Sequence, residues 1–242
     1  MAGASIELDR ALELTRTGDL WLFRGGSAAD RAIRVTTNSP VNHVGMVVAI
    51  DDLPVLIWHA ELGRPLPDMW SGDRHRGAQL HDLREAVLVW SRRYGQRAWL
   101  RQLDRPVTRE MEDDALRAIA RLDGLPFPST SSLAARWLGG RLGRMRSNPG
   151  PAASGPEAAA KRNHAGPAAG LDRHSSAGQA APGQDLRSAY CAEIVALTYQ
   201  AMGLLPERRA NWYDPGRFWS GDTLRLSSGY HLGGEIPVEI PA

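Results

Sequence analysis

Hydrophobic residues form short continuous runs in the first part of the chain and take helical spacing further on. Continuous runs of this length predict strands that are buried on both faces. Loop-forming residues separate the runs, at 36–40 and in a turn of hairpin length at 51–54. The predicted strands are 18–24, 43–50, 55–60 and 86–90.

Helical spacing predicts a second group of elements. In segment 108–122, Thr108 is a plausible N-cap and Gly124 a plausible stop. Segment 188–205 has the pattern of one amphipathic helix, and residues 62–81, rich in Gly, Pro, Asp and Arg, predict an excursion at the surface. The other predicted helical segments are 6–15, 27–34 and 133–145.

Residues 147–184 differ in composition from the rest of the chain. They are mostly Pro, Gly, Ala and Ser, so they cannot bury enough apolar surface to offset the entropy lost on ordering. The helix that follows them needs the earlier strands to cover its apolar face. We therefore expect one domain of the α+β class over residues 1–242, interrupted by a disordered insertion at about 147–184.

The charge balance excludes few classes of protein. The 242 residues carry a net charge of +2, and only one basic residue, Lys161, is a lysine. We expect no nucleic-acid partner from so small an excess. The N-terminus has no basic start followed by an apolar run, and no stretch is long and apolar enough for a membrane span, so the expected location is the cytoplasm.

The chain has a single cysteine, Cys191, near the predicted start of the 188–205 helix. With Ser188 as N-cap, Cys191 becomes the third helical residue, where free backbone amides and the helix dipole stabilise a thiolate. A nucleophilic cysteine fits this position. A buried cysteine with a purely structural role fits it equally well.

Two of the seven histidines lie in predicted core strands. His43 opens one strand and His59 closes the next, so an antiparallel hairpin makes them neighbours at one end of the sheet. They are candidates for the base and its orienting partner, although two unrelated histidines with backbone partners are the alternative. The remaining histidines are expected in the insertion, the surface excursion or the Gly-rich tail: His75, His81, His164, His174 and His231.

Four segments of the chain resemble the permuted NlpC/P60 families, and within them the YiiX/YaeF-like group. These segments are GDLWLFRGG, SPVNHVGMVVAIDD, VLIWHAE and YCAEIVALTYQAMGLL. The lecithin:retinol acyltransferase-like group shares this order of motifs. The resemblance implies a circularly permuted papain-like fold, in which an antiparallel sheet packs against helices, with the histidine strands first and the cysteine helix last. It also implies a Cys191–His43 pair with a third polar residue. His59 is the choice for that residue and Glu61 the reserve, while Asn42 and Tyr190 adjoin the site.

Such a site performs acyl transfer. The expected function is a cysteine-dependent hydrolase acting on an amide or ester through an acyl-enzyme, with a peptide, amide or lipid-ester substrate. The alternatives are a lipid acyltransferase or thiol acyl hydrolase of the same fold, and a catalytically silent ligand-binding domain. Segment 136–146 carries four arginines, Arg136, Arg141, Arg144 and Arg146, which leave contact with a membrane surface open.

No cofactor and no metal are expected from the sequence. His59 and Glu61 match the first half of a zinc deaminase signature, but a chain with one cysteine cannot supply the second half. A zinc site built from Cys191, His43 and His59 would need a fourth ligand, and the sequence offers no short ligand spacing.

Overall fold

The computed structural model describes residues 5–50, 53–127, 189–220 and 224–241. The strands are β1 Ile6–Glu7, β2 Leu20–Arg24, β3 His43–Val48, β4 Leu56–Glu61, β5 Gly77–Asp82, β6 Arg97–Arg101 and β7 Ile236–Glu239. The helices are α1 Leu8–Leu14, α2 Ala28–Thr37, α3 Leu83–Tyr94, α4 Arg109–Leu122 and α5 Cys191–Ala201, with short 3-10 helices at Ala210–Trp212 and Pro215–Phe218.

The seven strands form one mixed sheet in the order β1-β7-β6-β2-β3-β4-β5. β1 and β7 run parallel, so the expected antiparallel sheet is mixed at this edge, and the other neighbouring strands are antiparallel. Helices cover both faces of this sheet, so the prediction of an α+β protein is confirmed.

Alternating side chains of the strands divide the interior into two cores. Leu22, Val44 and Trp58 face α4 and α5, while Phe23 and Ile57 face α1 and α3. The indole Nε1 of Trp58 donates a 2.9 Å hydrogen bond to Thr198 Oγ1 of α5. Trp58 therefore points away from the face that carries His59, as the alternation predicted.

The predicted strand at 86–90 is wrong, because these residues form the middle of α3. Asp82 caps this helix by accepting a hydrogen bond from the Glu85 amide, and Gly95 ends it with a positive φ of 61°. The buried residues Leu83, Ala86, Val87 and Trp90 recur at helical spacing. A five-residue apolar run is too short to distinguish a buried strand from one helical face.

Three other elements differ from the sequence prediction. The excursion at 62–81 does not stay at the surface, since its end forms the buried strand β5. The turn predicted at 27–34 is a full helix, α2, whose Ser27 cap exchanges hydrogen bonds with Asp30. The last helix begins at Cys191 with Tyr190 as its N-cap, so Cys191 is its first residue and not, as predicted, its third.

Several predictions fall on residues outside the described ranges: Ser188 itself, the helix at 133–145, the basic segment 136–146 and the insertion at 147–184. The single interrupted domain stays a prediction for the same reason. Among the described helices, none has the length and apolar character needed to cross a membrane.

Candidate active site

A cavity of about 600 Å³ opens where β3 begins and β4 ends. Five of the sequence-predicted residues line it: Asn42, His43, Glu61, Tyr190 and Cys191. The sixth, His59, is fully buried and lies in contact with His43. The six candidates therefore come together at one end of the sheet, although they are up to 149 positions apart, from Asn42 to Cys191.

β3 and β4 pair only from Met46–Trp58 to Val48–Leu56. β4 and β5, by contrast, remain paired as far as Glu61–Gly77. The ladder between β3 and β4 thus ends before His43 and His59 are reached. This leaves the start of β3 free of β4 pairing, and the cavity lies at that point.

Cys191 is the first residue of α5 and is 5% exposed. Its thiol lies beside the backbone of Val44, the residue that follows His43. Burial raises the pKa of Cys191 to about 11, and hydrogen bonds from the backbone of Val44, Ala192 and Cys191 itself lower it only in part. The nearby carboxylate of Glu193 raises this pKa further. At neutral pH the thiol is therefore protonated, so the stabilising effect of the helix N-terminus is outweighed by desolvation.

Three imidazoles form a row across β3, β4 and β5. Nε2 of His43 lies 3.1 Å from Nδ1 of His59, and Nε2 of His59 lies 3.1 Å from Nδ1 of His81. The Trp90 ring of α3 packs edge-on against His43 and His59, with centroids 5.3 and 4.8 Å away. The predicted neighbourhood of His43 and His59 is confirmed, and His81 extends it by one strand.

The row is electrically neutral at physiological pH. Burial lowers the pKa of His43 to about 3 and that of His81 to about 4, and it holds the pKa of His59 well below its usual value. A neutral imidazole has one donor and one acceptor nitrogen. The row consequently has two arrangements, in which the shared protons all point towards β5 or all point towards β3.

Glu61 lies near the far end of this row, with Oε2 4.0 Å from Nδ1 of His81. Burial raises the pKa of the Glu61 carboxyl to about 7. The residue is thus poised between its neutral and charged forms near neutral pH. Glu61 lies beside His81, whereas the residue that contacts His43 is His59.

The thiol and the imidazoles reach the cavity from opposite faces of the sheet. Cys191 belongs to the α5 core with Val44, whereas His43 packs against Phe23 and Trp90 on the α3 face. Among the described residues, no hydrogen bond joins Sγ of Cys191 to either nitrogen of His43. Nδ1 of His43 makes no hydrogen bond to any described residue, which leaves that nitrogen available within the cavity.

Asn42 and Tyr190 are held by structural contacts. Asn42 accepts a hydrogen bond from the Gly25 amide and donates one to Asp30, which fixes the start of β3 against α2. The Tyr190 hydroxyl donates to the backbone carbonyl of Tyr213, and its amide donates to Glu193 at 3.2 Å. These bonds position the first turn of α5 and, with it, Cys191.

Three residues beside the imidazole row were not predicted from the sequence: His81, Gln79 and Trp90. The strand β5 reads Gly77-Ala-Gln-Leu-His-Asp82, in which apolar and polar residues alternate between two boundary residues. That alternation is the signal of a strand with one polar face, and it was obscured by the polar composition of the preceding residues. Trp90 was placed in a strand instead of a helix, so its packing against the imidazoles could not be foreseen.

Among the described residues, two clusters of side chains have the composition of metal ligands. One consists of His59, Glu61 and His81, and the other of Asp68, His75 and Asp123; within each, the ligand atoms all lie within 4.8 Å of one another. In the second cluster Asp68 already accepts hydrogen bonds from the amides of Ser71 and Leu80. The first cluster includes two imidazoles of the row.

No family model matches the sequence, and no curated protein matches it. Among solved structures, the chain is similar to the crystal structure of the metalloprotein yiiX from Escherichia coli O157:H7, with 14% identity and a TM-score of 0.43. The alignment covers 77% of this chain and 65% of that one, so the chain spans less than two thirds of the yiiX structure. Membership of the permuted NlpC/P60 families stays a prediction.

Proposed function

We propose that the protein is a cysteine-dependent hydrolase of a circularly permuted papain-like fold, which cleaves an amide or ester through an acyl-enzyme. The observation that supports this most is the opening of Cys191 and His43 onto one cavity, with Nε2 of His43 held by His59. A nucleophile, a base and a group that orients the base are the parts that such chemistry needs.

The proton arrangement that serves catalysis has every shared proton pointing towards β5. His43 then donates from Nε2 to His59, and His59 donates from Nε2 to His81. This leaves a lone pair on Nδ1 of His43, which can accept the thiol proton. In free enzymes the hydrogen bond between nucleophile and base is often long or misaligned and tightens when substrate binds. We place the contact between Sγ and Nδ1 in the substrate complex.

The reaction proceeds in two balanced halves. Sγ of Cys191 attacks the substrate carbonyl, its proton passes to Nδ1 of His43, and that proton then goes to the departing nitrogen or oxygen as the scissile bond breaks. Water next attacks the thioester and gives a proton to His43. The carbon–sulfur bond breaks, the acid leaves, and the proton returns to the thiol. The Cys191 amide, which donates to the thiol in the resting protein, would donate to the oxyanion instead.

Because both the thiol and the imidazole are neutral in the resting protein, the proton must move during the attack. The pKa of Cys191 is raised to about 11 and that of His43 is lowered to about 3, both by burial, so a preformed thiolate–imidazolium pair is disfavoured. In this respect Cys191 would act like a serine nucleophile, which loses its proton to a general base during the attack. It would differ from a cysteine that is already a thiolate in the resting protein.

Lipid acyl transfer is the second candidate, and the apolar mouth of the cavity favours it. Leu62 lines the cavity and is 53% exposed, and Tyr94, Trp90 and Phe127 add apolar surface to its walls. Such a mouth suits an acyl chain. A catalytically silent ligand-binding domain is favoured by the raised thiol pKa and by the absence, in the described residues, of a bond between Cys191 and His43.

Hydrolysis of a panel of p-nitrophenyl esters and peptidyl anilides tests the proposal. The panel varies the length of the acyl chain from acetyl to palmitoyl, and each substrate is also offered to Cys191→Ser. Turnover that requires Cys191 supports the hydrolase, and a steep preference for long chains supports the lipid alternative. Absence of any Cys191-dependent turnover with saturable binding of a long-chain ester favours the silent domain.

A further inference from the structure

Polar side chains with unused hydrogen-bonding atoms cluster on the α3 face of strands β4 and β5. His59 lies directly opposite Gln79, and Glu61 and His81 are on the same face of the sheet. His59 and Gln79 are fully buried and His81 is 1% exposed. Four buried polar atoms have no hydrogen-bond partner among the described residues: Oε2 of Glu61, Nε2 of His81 and both polar atoms of the Gln79 amide.

Unsatisfied polar atoms at this density are unusual in a protein interior, where most buried polar groups have partners. The hydrogen bonds within the imidazole row leave these atoms unused. A ligand bound beside the His59–His81 pair would give one of these atoms, Oε2 of Glu61, the partner that it lacks.

Three potential ligand atoms lie close together here. Nε2 of His59 and Nδ1 of His81 are 3.1 Å apart, and Oε2 of Glu61 is 4.0 Å from the same His81 nitrogen. With metal–ligand bonds of about 2.0–2.1 Å, the edge of a tetrahedral site is about 3.3 Å long. The two imidazoles already stand near that spacing, and the carboxylate, within 4.8 Å of both, reaches it by moving at most about 1.5 Å.

We propose that His59, His81 and Glu61 form a divalent metal site of the zinc type. Two imidazoles and one carboxylate suit Zn²⁺, with the fourth position left for water, whereas Mg²⁺ and Ca²⁺ prefer oxygen ligands throughout. Glu61 lines the cavity, which gives an ion access to the buried imidazoles. The expectation of no metal was drawn from sequence spacing alone, and it placed His81 at the surface, away from His59.

The hydrogen bond on the other side of His59 fits this role. Ligand histidines usually donate their second ring N–H to a neighbouring acceptor, which fixes the ring. Nδ1 of His59 lies 3.1 Å from Nε2 of His43 and can make that donation. The Gln79 amide, opposite His59, lies next to the proposed ligands. The metal site rests on the geometry of these side chains and is independent of the proposed hydrolase activity.

Titration of the full chain with CoCl₂ and with ZnCl₂, after dialysis against a chelator, tests the site. Co²⁺ binding is followed by its visible d–d absorption and Zn²⁺ binding by calorimetry. The variants are His81→Gln and Glu61→Gln, and the second of these keeps the shape of the side chain at the cavity wall. The matched controls are His75→Gln, in the second cluster, and Cys191→Ser, which removes the thiol. Circular dichroism checks that each variant folds.

We expect one equivalent of Co²⁺ to bind the wild type and Cys191→Ser, with the intense absorption of a tetrahedral site. Glu61→Gln should weaken binding more than about tenfold, and His81→Gln at least as much when it folds. His75→Gln should bind as the wild type does. The proposal is overturned if no ion binds, if neither Glu61→Gln nor His81→Gln weakens binding, or if binding is lost in His75→Gln or Cys191→Ser instead. None of these readouts depends on catalysis, because each measures metal binding in the absence of substrate.

Discussion

Nε2 of His43 lies 3.1 Å from Nδ1 of His59, and the two rings meet edge to face at a centroid distance of 5.1 Å. The contact joins residues 16 positions apart, one at the start of β3 and one near the end of β4. It turns Nδ1 of His43 away from His59 and leaves that nitrogen without a described hydrogen-bond partner. The chemistry that we propose for Cys191 depends on this orientation.

Alkylation of Cys191 should report a buried, protonated thiol. Since burial raises the pKa of Cys191 to about 11, the rate of reaction with iodoacetamide should keep rising between pH 8 and pH 10. A cysteine with the ordinary pKa of about 8.5 would approach a plateau in this range. Because Cys191 is the only cysteine in the chain, all alkylation of thiols reports on this residue.

The variant Glu193→Gln provides a matched test of the same electrostatics. Gln can still accept the hydrogen bond from the Tyr190 amide, but it lacks the charge that raises the pKa of Cys191. The alkylation profile should move to lower pH. A wild-type plateau near pH 8.5, or a variant profile shifted to higher pH, would contradict this description of the thiol.

Acid should destabilise the protein through the imidazole row. The pKa of His81 is lowered by burial to about 4, so the folded state holds this imidazole neutral. Its contribution to stability is fully present above pH 6.5 and is lost as the pH falls towards 4. The shift corresponds to about 3 kcal/mol of unfolding free energy.

Urea unfolding between pH 7 and pH 4 measures this loss. In His81→Gln the loss should be smaller, because one titrating imidazole has been removed. Equal acid sensitivity of the wild type and His81→Gln would show that His81 is not held neutral by the fold.

The contact between Trp58 and Thr198 should contribute to the attachment of α5 to the sheet. Thr198→Val keeps the shape of the side chain but leaves the buried Trp58 indole N–H without its acceptor. The expected loss is about 1–3 kcal/mol of unfolding free energy. Thr198→Ser, which keeps the hydroxyl, is the control, and denaturant unfolding that found Val as stable as Ser would refute the assignment.

Zinc should slow the acylation of Cys191 if both proposals hold. A metal on Nε2 of His59 leaves the His59 proton on Nδ1, which then donates to Nε2 of His43. His43 is left with its own proton on Nδ1, the nitrogen that must accept the thiol proton. Acylation rates with and without ZnCl₂ should differ in the wild type and agree in His81→Gln. A zinc effect of equal size in both proteins would place the inhibitory ion elsewhere.

The sequence allowed part of the site to be predicted. His43 and His59 could be placed together because an antiparallel hairpin with a short turn brings the start of one strand beside the end of the next. The position of Cys191 at a helix start followed from the amphipathic pattern after it. Both inferences rest on local geometry, which the order of residues largely determines.

Other features depend on packing that no local pattern specifies. His81 joins the row only because β5 pairs with β4 in a particular register. The five-residue run at 86–90 was assigned to a strand, although Asp82 and Gly95 mark the ends of a helix. The raised pKa of Cys191 comes from the depth at which α5 packs on the sheet, and a helix N-terminus alone predicted the opposite shift.

The most direct test of the proposed function is the mass of the protein after brief exposure to a p-nitrophenyl ester, in the wild type and in His43→Gln. Because the chain has one thiol, a hydroxylamine-labile acyl adduct on the cysteine-containing peptide identifies an acyl-enzyme. His75→Gln serves as the control, since His75 lies outside the cavity lining. We predict rapid acylation in the wild type and the control, slowed about 100-fold or more in His43→Gln. Equal acylation rates in the wild type and His43→Gln, or no adduct on Cys191 in either, would contradict the account.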